Sequence, residues 1–337
     1  MSYDAILVTT FGGPDSAEDV MPFLENVLRG KNVPRLRMLE VAEHYYRFGG
    51  KSPLNDQNRQ LVAALQTELA THGPPLPVYW GNRNWHPMLS DTLRQMKADG
   101  IRRALAFVTS AYSSYSSCRQ YLEDIARAQE EVGDGAPVVD KIRAFYNHPG
   151  FVEAYADRVQ AALASIPPDR REAAHLVYTA HSIPLGMAQS CDYEEQLRET
   201  GSLIAERLGS RPWRLAYQSR SGPASQPWLE PGILDCLREL KAQDGSSDVV
   251  VAPIGFVSYH MEILFDLDTE AQELCAELGL HMVRAETVGN HPRFISMIRE
   301  LIQERAVEGH PRLALGAMGP RADLCPANCC PMPRRPG

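Results

Sequence analysis

HLVYTAHSIP, residues 175–184, is a run of strand-forming residues that ends in a polar turn, and AILVTTFGGP, residues 5–14, follows the same grammar. Around each, matching segments recur in order. VYWGNRNWHP answers WRLAYQSRSGP, RALAFVTSAYSSYSSCRQYLED answers DVVVAPIGFVSYHMEILFDLD, and NHPGFVEAYADRVQA answers NHPRFISMIRELIQE. His148 and His291 stand 143 positions apart (291 − 148), and Val108 and Val251 in the upstream strand runs keep that separation (251 − 108). Four ordered matches predict two homologous halves. The β-branched runs alternate with amphipathic stretches such as AEDVMPFLENVLRG and QNRQLVAALQTELATHG, both closing on a glycine as helices do. That alternation belongs to α/β proteins with parallel sheets. The expected divisions are 1–147 and 148–288 for two α/β domains, 289–306 for a helix packing back on the first, and 307–337 for a Cys/Pro-rich tail. Ligands in such folds sit at the carboxyl ends of the strands, in the cleft between halves.

Length agrees with this division, since 337 residues suit about two domains. With 44% hydrophobic and 23% charged residues, wholesale disorder is excluded. Acids outnumber bases by 42 to 34, for a net charge of −8, which argues against a general nucleic-acid binder. No apolar run approaches the ~18 residues of a membrane span, and residues 249–257 read as a buried strand. The opening MSYDAILVTTF has neither a basic n-region nor a cleavage site, so a cytoplasmic location is expected. Seven cysteines are an odd number and, in a reducing compartment, not a disulfide framework. Cys118, Cys191, Cys236 and Cys275 are scattered, as small buried hydrophobes are. Cys325, Cys329 and Cys330 instead crowd LCPANCCP, a cluster suited to a metal, within a tail whose composition alone predicts disorder.

Two constellations carry chemistry. His181 directly follows the strand run of the second half, in YTAHSIP. In SYHMEILFDLDTEA, Glu262, Asp266 and Glu270 recur at i, i+4 and i+8, which on a helix stacks them along one face, roughly 6 Å per step. A solvated acidic face normally interleaves Lys or Arg, yet none stands between Tyr259 and Glu273. An uncompensated ladder of acids serves cations or protons. A histidine opposite such a ladder fits divalent metal handling or general base work. Inserting a metal into a macrocycle that must lose two N–H protons requires both.

These segments together resemble the ferrochelatases, from about Ile6 to Ile302. TTFGGP (9–14), HYYRFGGKSP (44–53), GNRNWHP (81–87), TAHSIP (179–184), YQSRSGP (217–223) and FVSYHMEILFDLD (256–268) carry the resemblance. FLENVLRG and AEHYYRFGGKSP are similar to the actinobacterial type, which uses coproporphyrin III rather than protoporphyrin IX. The resemblance implies two Rossmann-like domains in a chelatase-like fold with the porphyrin between them; the oligomeric state is not readable from the sequence, with a monomer favoured. It implies that His181 and Glu262 are the catalytic pair at the metal, facing each other across the ring, with Fe²⁺ as substrate. Asp266 and Glu270 match the acidic line leading away, Tyr45, Ser52 and Tyr121 match porphyrin contacts, and Arg29 matches a base near the propionates. It also implies a [2Fe–2S] cluster on Cys118, Cys325, Cys329 and Cys330, with Zn²⁺ or a disordered thiol tail as alternatives. Three departures stand out: Phe11 where some members have an iron-ligating tyrosine, Tyr259 in place of an acid before His260, and His44 where an arginine is common. A protoporphyrin IX ferrochelatase, a chelatase for another metal and tetrapyrrole, and a non-catalytic tetrapyrrole or metal carrier are the rival readings. Mechanistically, a cleft that saddles the ring exposes its nitrogen lone pairs to Fe²⁺. His181, neutral at physiological pH, is expected to take a pyrrole proton or hold the ion.

Overall fold

Ala5–Thr10 (AILVTT) is buried at all six positions, as a central parallel strand covered on both faces must be. This strand, β1, pairs in parallel with β2 (Val78–Asn82) through Ile6 against Val78, and with β3 (Arg103–Val108) through Ile6 against Leu105. Adding β4 (Val138–Lys141) beside β3 gives the order β2-β1-β3-β4. Helices α1 (Val20–Leu28), α2 (Arg35–Arg47), α3 (Leu54–His72), α4 (Leu89–Ala98) and α5 (Gln120–Val132) belong to this half. The chain is seen here as a computed structural model that describes residues 3–30, 33–222, 225–244, 247–326 and 328–332. Pro223 of YQSRSGP, Ala327 of the cysteine-rich segment and residues 333–337 lie outside the described residues.

The second half repeats the first. A buried central strand β5 (His175–His181) lies between β6 (Trp213–Gln218) and β7 (Asp248–Ala252), with β8 (His281–Arg284) at the edge, all parallel. The order β6-β5-β7-β8 is that of the first sheet with four added to each strand, so the two predicted α/β halves with parallel sheets are both present. The remaining helices are α6 (Pro149–Ala164), α7 (Pro168–Arg171), α8 (Leu185–Ala188), α9 (Tyr193–Arg207), α10 (Ile233–Asp244), α11 (Met261–Phe265), α12 (Gln272–Leu278) and α13 (Pro292–Ala306). Each half also carries a π turn after its third strand: Tyr115–Arg119 before α5, and Asp266–Ala271 between α11 and α12.

The repeated Asn-His-Pro headings explain how the halves join. Pro sits at the first turn of α6 and α13, where its missing N–H costs nothing, and the preceding histidine caps the helix with Nδ1. Gly150 N–H donates to His148 Nδ1 at 3.1 Å, and Arg293 N–H to His291 Nδ1 at 3.2 Å. The other ring nitrogen of each faces an acid on the opposite helix: His148 Nε2 lies 3.6 Å from Glu300 of α13, and His291 Nε2 lies 3.4 Å from Asp157 of α6. Between them Phe294 of α13 packs against Phe107 of β3 and against Phe145 and Phe151, ring centroids 6.1–6.2 Å apart. One apolar core therefore runs through both halves.

The tail is not the loose segment its composition suggests. Arg143 donates to the Leu313 carbonyl at 2.7 Å, and Asn147 Nδ2 donates to the carbonyls of Leu315 (3.1 Å) and Gly319 (2.9 Å). Arg321 then pairs with Asp192 at 2.7 Å. These bonds hold backbone carbonyls that a Gly- and Pro-rich stretch cannot pair with itself. They attach the tail to elements of both halves rather than to the first alone. No helix among the described residues is long and apolar enough to cross a membrane.

Candidate active site

A cleft of about 640 Å³ opens where the two sheets' carboxyl ends meet. Its floor is built by the turns that leave the central strands. After β1 the chain turns at Gly12, whose φ of +84° and close approach to Asn82 exclude a side chain there. After β5 comes His181. Its Nδ1–H donates to the Ser182 carbonyl, which fixes the tautomer and leaves Nε2 facing the cleft. Nε2 lies 3.5 Å from Glu262 Oε1, and His260 Nδ1 lies 3.6 Å from the other carboxylate oxygen. One carboxylate thus stands between two imidazoles.

The pair is charged at rest. Enclosure in the cleft pulls the His181 imidazole down, but the Glu262 charge and hydrogen bond outweigh it, and His181 is raised to about 9. Glu262, which enclosure alone would raise, is held down to about 2 by the same partner. His260 is lowered by burial and by the His181 charge. Against the expectation of a neutral His181 at physiological pH, Glu262 at this distance favours the imidazolium form.

Asp266 sits one step along the ladder. Gln218 Nε2 donates to its Oδ2 at 3.3 Å, and the Ser219 hydroxyl donates to the same oxygen. Ser219 reaches it from a left-handed backbone conformation (φ +63°) that is costly for a residue with a Cβ. Burial first, and then the charges of Glu262 and Glu270, push Asp266 up to about 7. Burial and Glu273 raise Glu270, against the pull of Arg47. Asp266 and Glu270 are carried by the π turn, not by a regular α-helix, so their line is set by a wider turn than the expected i, i+4 stacking.

Of the other expected residues, Tyr45, Ser52 and Tyr121 line the cleft, as does Phe11. Arg29 does not: it is exposed at the end of α1, donating to Asn26 Oδ1. The bases on the wall are Arg37 and Arg83. Arg83 pairs with the buried Asp124 and lies over the rings of Tyr121 (4.5 Å) and Phe11 (5.7 Å). It stands inside GNRNWHP, at the carboxyl end of β2, so the strand-end rule could have found it; Arg37 left no such signal. His44 stacks flat on Phe265 of α11, centroids 3.5 Å apart, and so joins α2 to the second half.

The tail thiols lie beside the π turn before α5. Cys118 and Cys325 are close enough for each to shift the other's proton affinity, and Cys329 Sγ lies 3.5 Å from Cys330 Sγ. Lys141 stands near both Cys118 and Cys325. Among the described residues no set of three or more His, Cys, Asp or Glu side chains is arranged to hold a single metal ion. A group that spreads four thiolates over two irons would draw on these four thiols.

Two parallel sheets joined across a cleft, with a histidine and an acid facing each other in it, are the arrangement of a two-domain α/β chelatase. The fold agrees: SirB from Bacillus subtilis, solved with Fe³⁺, superimposes with a TM-score of 0.56 over 91% of this chain and 99% of its own at 13% identity. Residues 3–306 match the family model for ferrochelatase, and the chain belongs to the ferrochelatase family, enzymes that insert metal into porphyrin. A ferrochelatase of Rhodopirellula baltica is 58% identical over 99% of this chain and 95% of its own. A coproporphyrin III ferrochelatase of Streptomyces griseus is 50% identical over 98% and 93%.

Proposed function

We propose that this chain inserts Fe²⁺ into coproporphyrin III to give its iron complex in haem biosynthesis, acting in the cytoplasm as a monomer. The observation that carries this reading is His181 Nε2 facing Glu262 Oε1 at 3.5 Å in the cleft between the halves; relatives named for coproporphyrin III support the substrate. The reaction consumes the free macrocycle and Fe²⁺ and releases two protons. An entering ring passes between His181 and Glu262, and each loses the other as partner. His181 loses its Nε2 proton to solvent as Glu262 is displaced, so Nε2 becomes free to receive a pyrrole proton or hold the ion. The two protons released by the reaction are those of the macrocycle, while Glu262 offsets the charge from the other face. Asp266, near neutrality in its proton affinity, passes protons or metal between Glu262 and Glu270. Tyr45, Ser52 and Tyr121, with Arg37 and Arg83, position the propionates, which need cations and hydroxyls; Arg29 serves at the rim.

A [2Fe–2S] cluster on Cys118, Cys325, Cys329 and Cys330 is proposed as a resident group of structural or redox-sensing role, since the insertion chemistry is accounted for elsewhere. The domain limits at 147, 288 and 306 are kept as the proposed division. Anaerobic assay of the purified protein with Fe²⁺ and either porphyrin tests the substrate. Coproporphyrin III should be metallated with the higher kcat/KM; preference for protoporphyrin IX, or tight binding without turnover, would overturn the proposal.

A further inference from the structure

A π turn is a rarer hydrogen-bonding register than the α-helix around it, and it persists where neighbouring contacts hold it. Such contacts reach the acidic turn from the sheet. Arg284, the last residue of β8, donates through Nε and Nη2 to both oxygens of Asp268, the second at 3.0 Å. Its guanidinium lies over the Tyr259 ring, 4.6 Å from the centroid, and Nη1 donates to the Ala285 carbonyl at 3.2 Å. Arginine and aspartate are 17% and 28% exposed, so solvent competes weakly for the pair. The segment between Tyr259 and Glu273 has no Lys or Arg of its own. The base that β8 brings to it is engaged by Asp268, on a different side of the turn from the Asp266 carboxyl that Ser219 and Gln218 hold. Arg47 of α2 acts on the ladder at Glu270, and His181 acts at Glu262 and Asp266.

We infer that Arg284 is a positioning residue for metal delivery: by clamping Asp268 and Tyr259 to β8 it holds the π register that keeps Asp266 and Glu270 in one line toward Glu262. The inference rests on the ladder being the metal and proton path. If the clamp is lost and the turn relaxes to α, one residue is expelled and everything beyond it rotates by about 100°, so the two carboxylates no longer share a line. Tyr259 then has a function here as the aromatic seat of the guanidinium.

The test is steady-state insertion of Fe²⁺ into coproporphyrin III under anaerobic conditions, with porphyrin affinity measured separately by fluorescence. Arg284→Met should raise the KM for Fe²⁺ about tenfold, the lower end for loss of an outer-shell partner, with kcat at saturating iron and porphyrin Kd little changed. Asp268→Asn should do the same, and the double variant should be no worse than either single one, because both remove one clamp. Arg284→Lys, which keeps the charge but not the two-pronged bond, should fall between. Asp266→Asn/Glu270→Gln is the reference. If it raises the KM for iron while neither Arg284→Met nor Asp268→Asn does, the positioning role is wrong and the ladder stands. If none of them moves it, the ladder reading fails and takes this inference with it. Lower kcat or melting temperature with an unchanged KM would make the clamp merely structural, and Asp268→Asn decides the matter should Arg284→Met not fold.

Discussion

His181 and Glu262 hold opposite charges against each other in the absence of substrate, and each sets the other's proton affinity. Glu262→Gln removes the charge and keeps the shape. Without it the main contribution that raises His181 is gone, so the His181 midpoint, followed by NMR of its ring protons in the metal-free protein, should fall well below about 9. The stabilising effect of the pair follows the same signs. His181 is raised, so its contribution is complete below about 6.5 and lost as pH rises through about 9; Glu262 is lowered, so its contribution is complete above about 4.5 and lost as pH falls toward about 2. The melting-temperature gap between wild type and Glu262→Gln should therefore be widest between about pH 4.5 and 6.5, and close above about 9. A gap that is flat across this range would mean that the two side chains are not coupled.

Elements set those residues in place, and they differ in how readily a sequence discloses them. The strands β1, β3, β5 and β7 were legible because buried parallel strands are short β-branched runs that end in Gly or Pro turns. His181 was legible for the same reason, since it ends one of them. The helix α2 was not read as an element: Leu36, Leu39 and Tyr46 face solvent and blur its apolar stripe. The π turn was hidden too, because acids at i, i+4 and i+8 read as one face of an α-helix whatever the true register. Arg284 escaped because the side chain that neutralises Asp268 lies on another strand. In the tail, thiol spacing was legible but the anchoring by Arg143 and Asn147 was not, since those bonds go to backbone carbonyls and leave no pattern. The cluster is tested on that element: anaerobically purified protein should be coloured, with two irons and inorganic sulfide per chain, and Cys118→Ser should bleach it. A colourless protein containing zinc would refute the cluster and leave the insertion chemistry untouched.

Across the whole molecule, the two homologous halves are locked by a reciprocal exchange in which α6 and α13 each present a histidine cap to an acid on the other. Phe294 lies fully buried at that seam, in contact with aromatic rings from β3 and from the stretch around α6. Phe294→Ala should cost about 3–5 kcal/mol of unfolding free energy in denaturant titration; a loss under about 1 kcal/mol would mean that the seam does not hold the halves together. A rigid seam is what allows a cleft of this size to bring a side chain of one half against a planar ligand seated on the other. With a net charge of −8 on the chain, Arg37 and Arg83 are the guanidinium groups among the residues lining the cleft, and Arg83 is already paired with Asp124. All of this converges on one pair of side chains. The most direct measurement is single-turnover metallation, followed by absorbance, of protein-bound coproporphyrin III mixed anaerobically with Fe²⁺, in wild type and in His181→Ala. Wild type should convert the bound porphyrin, and the variant should do so at less than a tenth of that rate with porphyrin affinity and fold unchanged. Insertion by His181→Ala at a rate close to wild type would contradict the role given to His181.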